Sequence, residues 1–301
     1  MINAFIDTNR ERLGVEPICK AMQVAPSAYR RHAARRREPS LRSARALRDE
    51  LMGGHIERVW QDNYQVYGAR KVWRQLKREG IVLARCIVER LMHERGLRGA
   101  MRGKTIRTTR ADTAAPCPLD RVNRQFIAQR PDQLWVSDFT YVSTWQGFVF
   151  VAFVTDVFAR RIVGWRVSRS MHTQFVLDAL EQALWARKPQ RDALIHHSDR
   201  GSQYVSIKYS ERLLEAGIEP SVGSVGDSYD NALAESINAL FKAELIYRQG
   251  PWKSVQAVEL ATLKWVSWFN EKRLLEPIGN IPPAEAEANY YQSLGEQAQA
   301  A

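Results

Sequence analysis

The stretch Leu134-Trp135-Val136-Ser137-Asp138-Phe139-Thr140-Tyr141-Val142 decides the fold. Aromatic and β-branched residues crowd it, as they do in strands half-buried on a pleated surface, and the pattern predicts a strand. One carboxylate, Asp138, stands in its middle, where an isolated ionised side chain is costly unless a polar or charged group answers it.

Working outward, Thr144-Trp145-Gln146-Gly147 reads as a turn, and two more strands are expected at 148–157 and 161–169. Residues 173–187 place Phe175, Val176, Leu180 and Leu184 on one face of a helix. A short strand at 193–197, a helix at 205–216 and a brief strand at 219–222 follow. After the Gly- and Ser-rich loop 223–229, a long helix is expected over 230–247. Three strands, helix, strand, helix, strand, long helix is an antiparallel meander passing into crossovers. That is the element order of an α/β, ribonuclease-H-like domain.

Within that order three carboxylates occupy telling places. Asp138 is mid-strand. Asp199 follows the fourth strand in His196-His197-Ser198-Asp199-Arg200-Gly201-Ser202-Gln203-Tyr204, and strand ends beside Gly are where such sheets carry functional groups. Glu235 lies in Asp230-Asn231-Ala232-Leu233-Ala234-Glu235-Ser236, about a turn into the long helix, with 35 residues between it and Asp199. Two strands and a helix can bring these groups together as oxygen ligands for two hard cations, Mg²⁺ or alternatively Mn²⁺, suited to in-line displacement at a phosphodiester. Lys242, seven residues after Glu235, falls on roughly the same helix face, placed to meet a phosphate. Taken singly, each carboxylate reads equally as a strand-end, turn or solvated helix residue. Asp156 lies near Arg160 and Arg161 and reads as a turn cap or structural ion pair. His196 and His197 lack the spacing of a zinc site.

Charge divides the chain. Residues 1–130 hold 28 Lys and Arg against 13 Asp and Glu, a net of +15, whereas the remaining 16 basic and 20 acidic residues leave 131–301 at −4. An excess of that size in one half points to a polyanionic partner. Short helices are expected around Pro17 and Pro26, with Leu13, Ile18, Met22 and Tyr29 as their apolar positions. A charged hinge at 35–40 comes next, then a helix over 41–61, capped by Ser40 and burying Leu47, Leu51 and Val59. Two helices bounded by Gly80 and Gly96 then form a helix-turn-helix, with basic residues Arg70, Lys71, Arg74, Lys77 and Arg78 on the first and Arg85, Arg90 and Arg95 on the second. These make Arg70, Lys71, Arg74, Arg85 and Arg90 candidate DNA contacts.

The domain reading is therefore a helical region at 1–60, a helix-turn-helix at 61–97, a basic linker at 98–130, a catalytic core at 131–250 and a closing helix and tail at 251–301. Cys19, Cys86 and Cys117 offer neither a disulfide framework nor a zinc site. The N-terminus lacks the layout of a signal peptide and no apolar run spans a bilayer, so a cytoplasmic location without membrane association is expected.

The motifs around Asp138, Asp199 and Glu235, the 35-residue gap and the lysine seven residues on resemble the second-frame protein of the insertion-sequence-three family of bacterial transposases. Trp265-Val266-Ser267-Trp268-Phe269-Asn270 and Pro282-Pro283-Ala284-Glu285 resemble that family's closing helix and tail. The resemblance implies a DDE integrase core, preceded by an all-α helix-turn-helix region. Asp138, Asp199 and Glu235 would be its metal ligands and Lys242 a DNA contact. It implies cleavage at a transposon end to free a 3′-hydroxyl, strand transfer into target DNA, a homo-multimer that pairs the ends, and an upstream-frame protein or frameshift fusion as partner. The cellular setting would be the bacterial nucleoid. A retroviral integrase would add a zinc module whose spacing Cys19, His32, Cys86 and His93 do not have. A non-catalytic DNA-binding regulator of transposition is the alternative, and three intact carboxylates disfavour it.

Overall fold

The computed structural model describes residues 2–101, 127–199, 203–204, 206–222 and 231–300. Helices α1 (Ile2–Leu13), α2 (Val15–Ala21) and α3 (Pro26–Arg37) enclose a small core of Ile6, Ile18, Cys19 and Tyr29. A single 3₁₀ turn at Pro39–Leu41 leads to α4 (Ala44–Asp62). Its cap is Ser43, whose hydroxyl accepts from the Ala46 N–H at 3.2 Å, and not Ser40. The later start reflects Pro39, which opens its own 3₁₀ turn. Leu47 and Leu51 are exposed rather than buried, because the face of α4 that packs is set by Ile56 and Val59.

Helices α5 (Ala69–Arg78) and α6 (Arg85–Glu94) form the expected hairpin. Gly80 and Gly96, both at positive φ, close their ends. Val72, Leu76, Val88 and Leu91 pack with Ile56 and Val59. Thus α4 runs across the 60/61 boundary expected from sequence and belongs with α5 and α6. The linker residues Arg102, Lys104, Arg107, Arg110, Pro116 and Pro118, with Cys117, lie outside the described residues.

Five strands follow: β1 (Leu134–Thr144), β2 (Gly147–Asp156), β3 (Arg161–Ser168), β4 (Ile195–Ser198) and β5 (Glu219–Val222), in the order β3-β2-β1-β4-β5. β1 pairs with β2 antiparallel from Trp135↔Asp156 to Thr144↔Gly147, and β2 with β3 likewise. β4 lies parallel to β1 (Leu134↔Ile195 to Ser137↔Ser198), and β5 parallel to β4. Helices α7 (Thr173–Arg187) and α8 (Ile207–Glu215) pack on one face around Trp135, Phe175, Leu180 and Tyr209. Gly164 on β3 lets α7 approach, since a Cβ there would strike the Ala179 carbonyl. β4 begins two residues later than expected because Asp192 takes a left-handed turn conformation. α8 likewise starts after Ser206, whose hydroxyl accepts from the Tyr209 N–H.

The opposite face receives α9 (Ala232–Phe241), which widens into one π-turn at Lys242–Ile246 and ends as the short α10 (Tyr247–Gln249). α11 (Val255–Glu271) and α12 (Pro283–Ala300) complete the chain. One apolar core runs from α4, α5 and α6 through Phe241, Trp265 and Phe269 to the sheet residues Val142, Val151 and Phe153. Polar contacts among the described residues also pin the helical hairpin to it: Trp268 Nε1 donates to Asn63 Oδ1, the Leu274 N–H donates to the Tyr67 hydroxyl, and Arg78 and Arg70 pair with Glu285 and Glu276. Asp156 is fully buried and caps the turn by accepting from the Phe158 N–H. It faces Arg187 at 3.8 Å rather than Arg160 or Arg161. Arg161 turns instead to Glu287 on α12.

Candidate active site

The site is assembled where β4 stops pairing with β1. Pairing ends at Ser137, so Asp138 is the first residue of β1 beyond it, and Asp199 is the first residue past β4. Adjacent parallel strands therefore deliver both carboxylates to one end of the sheet. α9 lies against β1, and the side-chain amide of Asn231, at its start, donates to the Ser137 carbonyl at 3.0 Å. From that anchor Glu235, Asn238 and Lys242 follow at helical spacing along one face.

Asp138 is held at both carboxylate oxygens. Its Oδ1 accepts from the Phe139 N–H at 2.8 Å and its Oδ2 from Asn238 Nδ2 at 2.9 Å. Burial, reinforced by the charges of Asp199 and then Glu235, nonetheless pushes its pKa from an ordinary 3.8 up to about 8. Glu235 is exposed, and its pKa is raised by desolvation and by Asp199. The three groups thus sense one another's charge. Among the described residues no group of three His, Cys, Asp or Glu side chains is gathered closely enough to hold an ion between them. Lys242 sits at the start of the π-turn with its ammonium 4.5 Å from the centre of the Tyr141 ring. Desolvation lowers its pKa, while Asp138 pulls it back up.

Sequence reasoning missed Asn231 and Asn238. Both are buried polar residues on a helix face that otherwise packs apolar groups, and each keeps a buried Oδ1 without a partner among the described residues. An asparagine three residues after Glu235 was the available signal. His196 and His197 are buried and structural. His196 Nε2 lies 2.7 Å from Ser137 Oγ and 3.1 Å from the Tyr209 hydroxyl, while His197 Nδ1 lies 2.9 Å from Ser221 Oγ. Burial, then the neighbouring His197, drives the His196 pKa down to about 3, so the ring is neutral and ties β4 to β1 and α8. Arg200, Gly201 and Ser202, and the loop 223–230, lie outside the described residues.

The candidate DNA contacts on the hairpin are spread over several surroundings. Arg70 pairs with Glu276 at 2.9 Å and Arg85 with Glu89 at 3.2 Å, all four exposed. Arg90 grips both oxygens of Asp49 at 2.9 Å and also Glu94, bracing α6 against α4. Lys71 lies over Tyr67, and Arg74 lies over Trp73 with its Nε buried and without a partner among the described residues.

A five-stranded sheet of this order, with one carboxylate in the middle of β1, one just past β4 and one on the facing helix, defines an integrase-type core on a ribonuclease-H-like fold. Integrase core domain models match residues 128–228 and 216–283, and an HTH-like domain model matches 46–105. The transposase for insertion sequence element IS629 of Shigella sonnei is 60% identical over 97% of this chain and 97% of its own length. A putative transposase for insertion sequence element IS986/IS6110 of Mycobacterium tuberculosis is 58% identical over 90% of the chain and 97% of its own. Transposase InsF for insertion sequence IS3A of Escherichia coli is 30% identical over 81% and 83% respectively. The chain belongs to the insertion-sequence-three family of transposases. With that family come DNA transposition as the function and polynucleotidyl transfer as the enzyme class. Among the described residues, no helix is long and apolar enough to cross a membrane.

Proposed function

We propose that Asp138, Asp199 and Glu235 are the ligands of two divalent cations, Mg²⁺ or Mn²⁺, and that this centre cleaves at a transposon end to free a 3′-hydroxyl and then joins that end to target DNA. The observation that carries the reading is that adjacent parallel strands bring Asp138 and Asp199 to one end of the sheet with Glu235 on the helix against β1, close enough for both charges to act on Asp138. A cluster of like charges that costs the fold stability is what a cation-binding centre leaves behind, and an all-oxygen donor set suits hard cations. When bound, such ions supply positive charge at the attacking and leaving oxygens of an in-line displacement. The chain's own contribution is orientation. Asn238 and the Phe139 N–H fix the Asp138 carboxylate, Asn231 holds α9 to β1, and Lys242 offers an ammonium to a DNA phosphate beside Asp138.

The helical hairpin extends this surface to flanking DNA. Arg70 and Arg85 are held in exposed ion pairs, each worth at most about 1 kcal/mol, so phosphates can displace Glu276 and Glu89. Lys71 and Arg74 add positive charge along α5, and Arg90, engaged by Asp49 and Glu94, positions α6. A homo-multimer pairing two ends, an upstream-frame or frameshift-fused partner, and a cytoplasmic, nucleoid-associated setting complete the reading. The test is strand transfer in vitro with labelled element ends and Mg²⁺. Asp199→Asn and Glu235→Gln are each expected to abolish joined products while retaining DNA binding. Full activity in either variant sinks the assignment.

A further inference from the structure

The β1–β2 hairpin extends past the helix that covers it. On one face of the hairpin Phe139 and Phe150 meet Phe175 of α7. Farther along the same face no described residue continues that cover, and Tyr141 and Phe148 stand edge-to-face at 5.5 Å with 58% and 61% of their surface exposed. Trp145, at the turn between the strands, is 68% exposed. This turn is not loose. The Trp145 N–H donates to the Trp252 carbonyl at 3.0 Å, and Thr144 bridges to the same residue. Large aromatic rings held in water on a fixed backbone need a reason.

Cations supply one. The Lys242 ammonium lies over Tyr141 at 4.5 Å, and the Lys253 ammonium is 5.8 Å from the centre of the Trp145 ring. Arg169, also exposed, is held to the hairpin turn through Gln146 at 2.9 Å. Exposed aromatic faces interleaved with Lys and Arg match a strand of nucleic acid, whose bases stack on rings while its phosphates meet the cations. A second copy of this chain would have to bury those charges. Tyr141 is three residues along β1 from Asp138, roughly 10 Å, which is about three base-pair rises of DNA.

We propose that Tyr141, Trp145 and Phe148 form a stacking platform that takes unpaired bases of the DNA strand next to the reacting phosphodiester, so that the enzyme works on an opened end. The proposal rests on the reading of Asp138, Asp199 and Glu235 as the reacting centre, but its test reads binding and so fails or stands separately. Full-length protein is titrated, in Ca²⁺ to prevent turnover, with a blunt duplex and with the same duplex carrying a single-stranded dT tail of roughly six nucleotides. Wild type is expected to prefer the tailed duplex. Trp145→Ala and Phe148→Ala should each cut that preference on the order of tenfold, and Trp145→Phe should restore most of it. Because the rings are exposed, melting curves of the alanine variants should overlay wild type, which separates lost stacking from lost folding. Equal affinity of wild type for both duplexes overturns the proposal. So does equal weakening of both in the variants, or a change of oligomeric state in place of a change in tail preference. Glu235→Gln, run in parallel, should keep the tail preference while losing strand transfer.

Discussion

Replacing Asp138 by Asn should stabilise the metal-free protein while abolishing its chemistry. The fold raises the Asp138 pKa from 3.8 to about 8, mainly by burial and by the charge of Asp199. At about 1.36 kcal/mol per tenfold change in proton affinity, retaining that carboxyl at pH 7 opposes folding by on the order of 4 kcal/mol. Asp138 is only half-buried, so solvent reaching one side should reduce this to about 2 kcal/mol. Its folded pKa lies above the unfolded one, so the neutral acid is the form the fold prefers. The penalty is absent below about pH 4, grows as pH rises toward 8, and levels off above that. Asn keeps the volume, its one oxygen accepts from the Phe139 N–H, and its NH2 donates to Asn238 Oδ1 once that amide turns over. Thermal unfolding without divalent ions from pH 5 to 9 should therefore show wild type losing stability across this window and Asp138→Asn losing less. A melting difference of roughly 4–8 °C at pH 8 is expected. Added Mg²⁺ should stabilise wild type more at pH 8 than at pH 6, and the Asn variant little at either pH. Parallel pH profiles for the two proteins, or a variant destabilised at every pH, would refute the reasoning.

Other outcomes follow from the packing. Arg273→Met strands Glu244, its buried bidentate partner, and should cost about 3–5 kcal/mol in denaturant unfolding. Combining it with Glu244→Gln should recover a good part of that loss, and no recovery would argue against the pair. Gly164→Ala forces a methyl into the Ala179 carbonyl and should destabilise the chain by roughly 1–3 kcal/mol or more, read as a lower melting point. An unchanged melting point would mean that α7 is not held close to β3. Binding of the full chain to DNA should weaken steeply with salt, with a log–log slope of about −4 or steeper, and a flat dependence would remove the basic half from the interface.

Legibility of the fold tracked local pattern. Strands β1 to β3 and helix α7 were expected within a few residues of where they lie, because alternation and helical spacing are written in adjacent residues. The carboxylates were legible because motif and interval flag them without any knowledge of the path between. Positions whose role depends on a distant partner were not. Leu47 and Leu51 carry an apolar pattern that promised burial, yet the face of α4 was chosen by what α5 and α6 offered it. Asp156 has arginines four and five residues on but turns to Arg187.

Sequence by itself determined the element order and the charge division between the halves and singled out the three candidate carboxylates, since each is a property of neighbouring residues or of spacing along one chain. Tertiary structure alone decided that the helical hairpin is docked on the core. The contacts that do it join Asn63 to Trp268 and Tyr67 to Leu274, more than two hundred residues apart. It alone decided that Asn238 orients Asp138 and that Tyr141, Trp145 and Phe148 stay uncovered. The physical reason is the same in each case. A side chain's spacing is local, but its partner, and hence its burial and charge state, is set only when remote elements close around it.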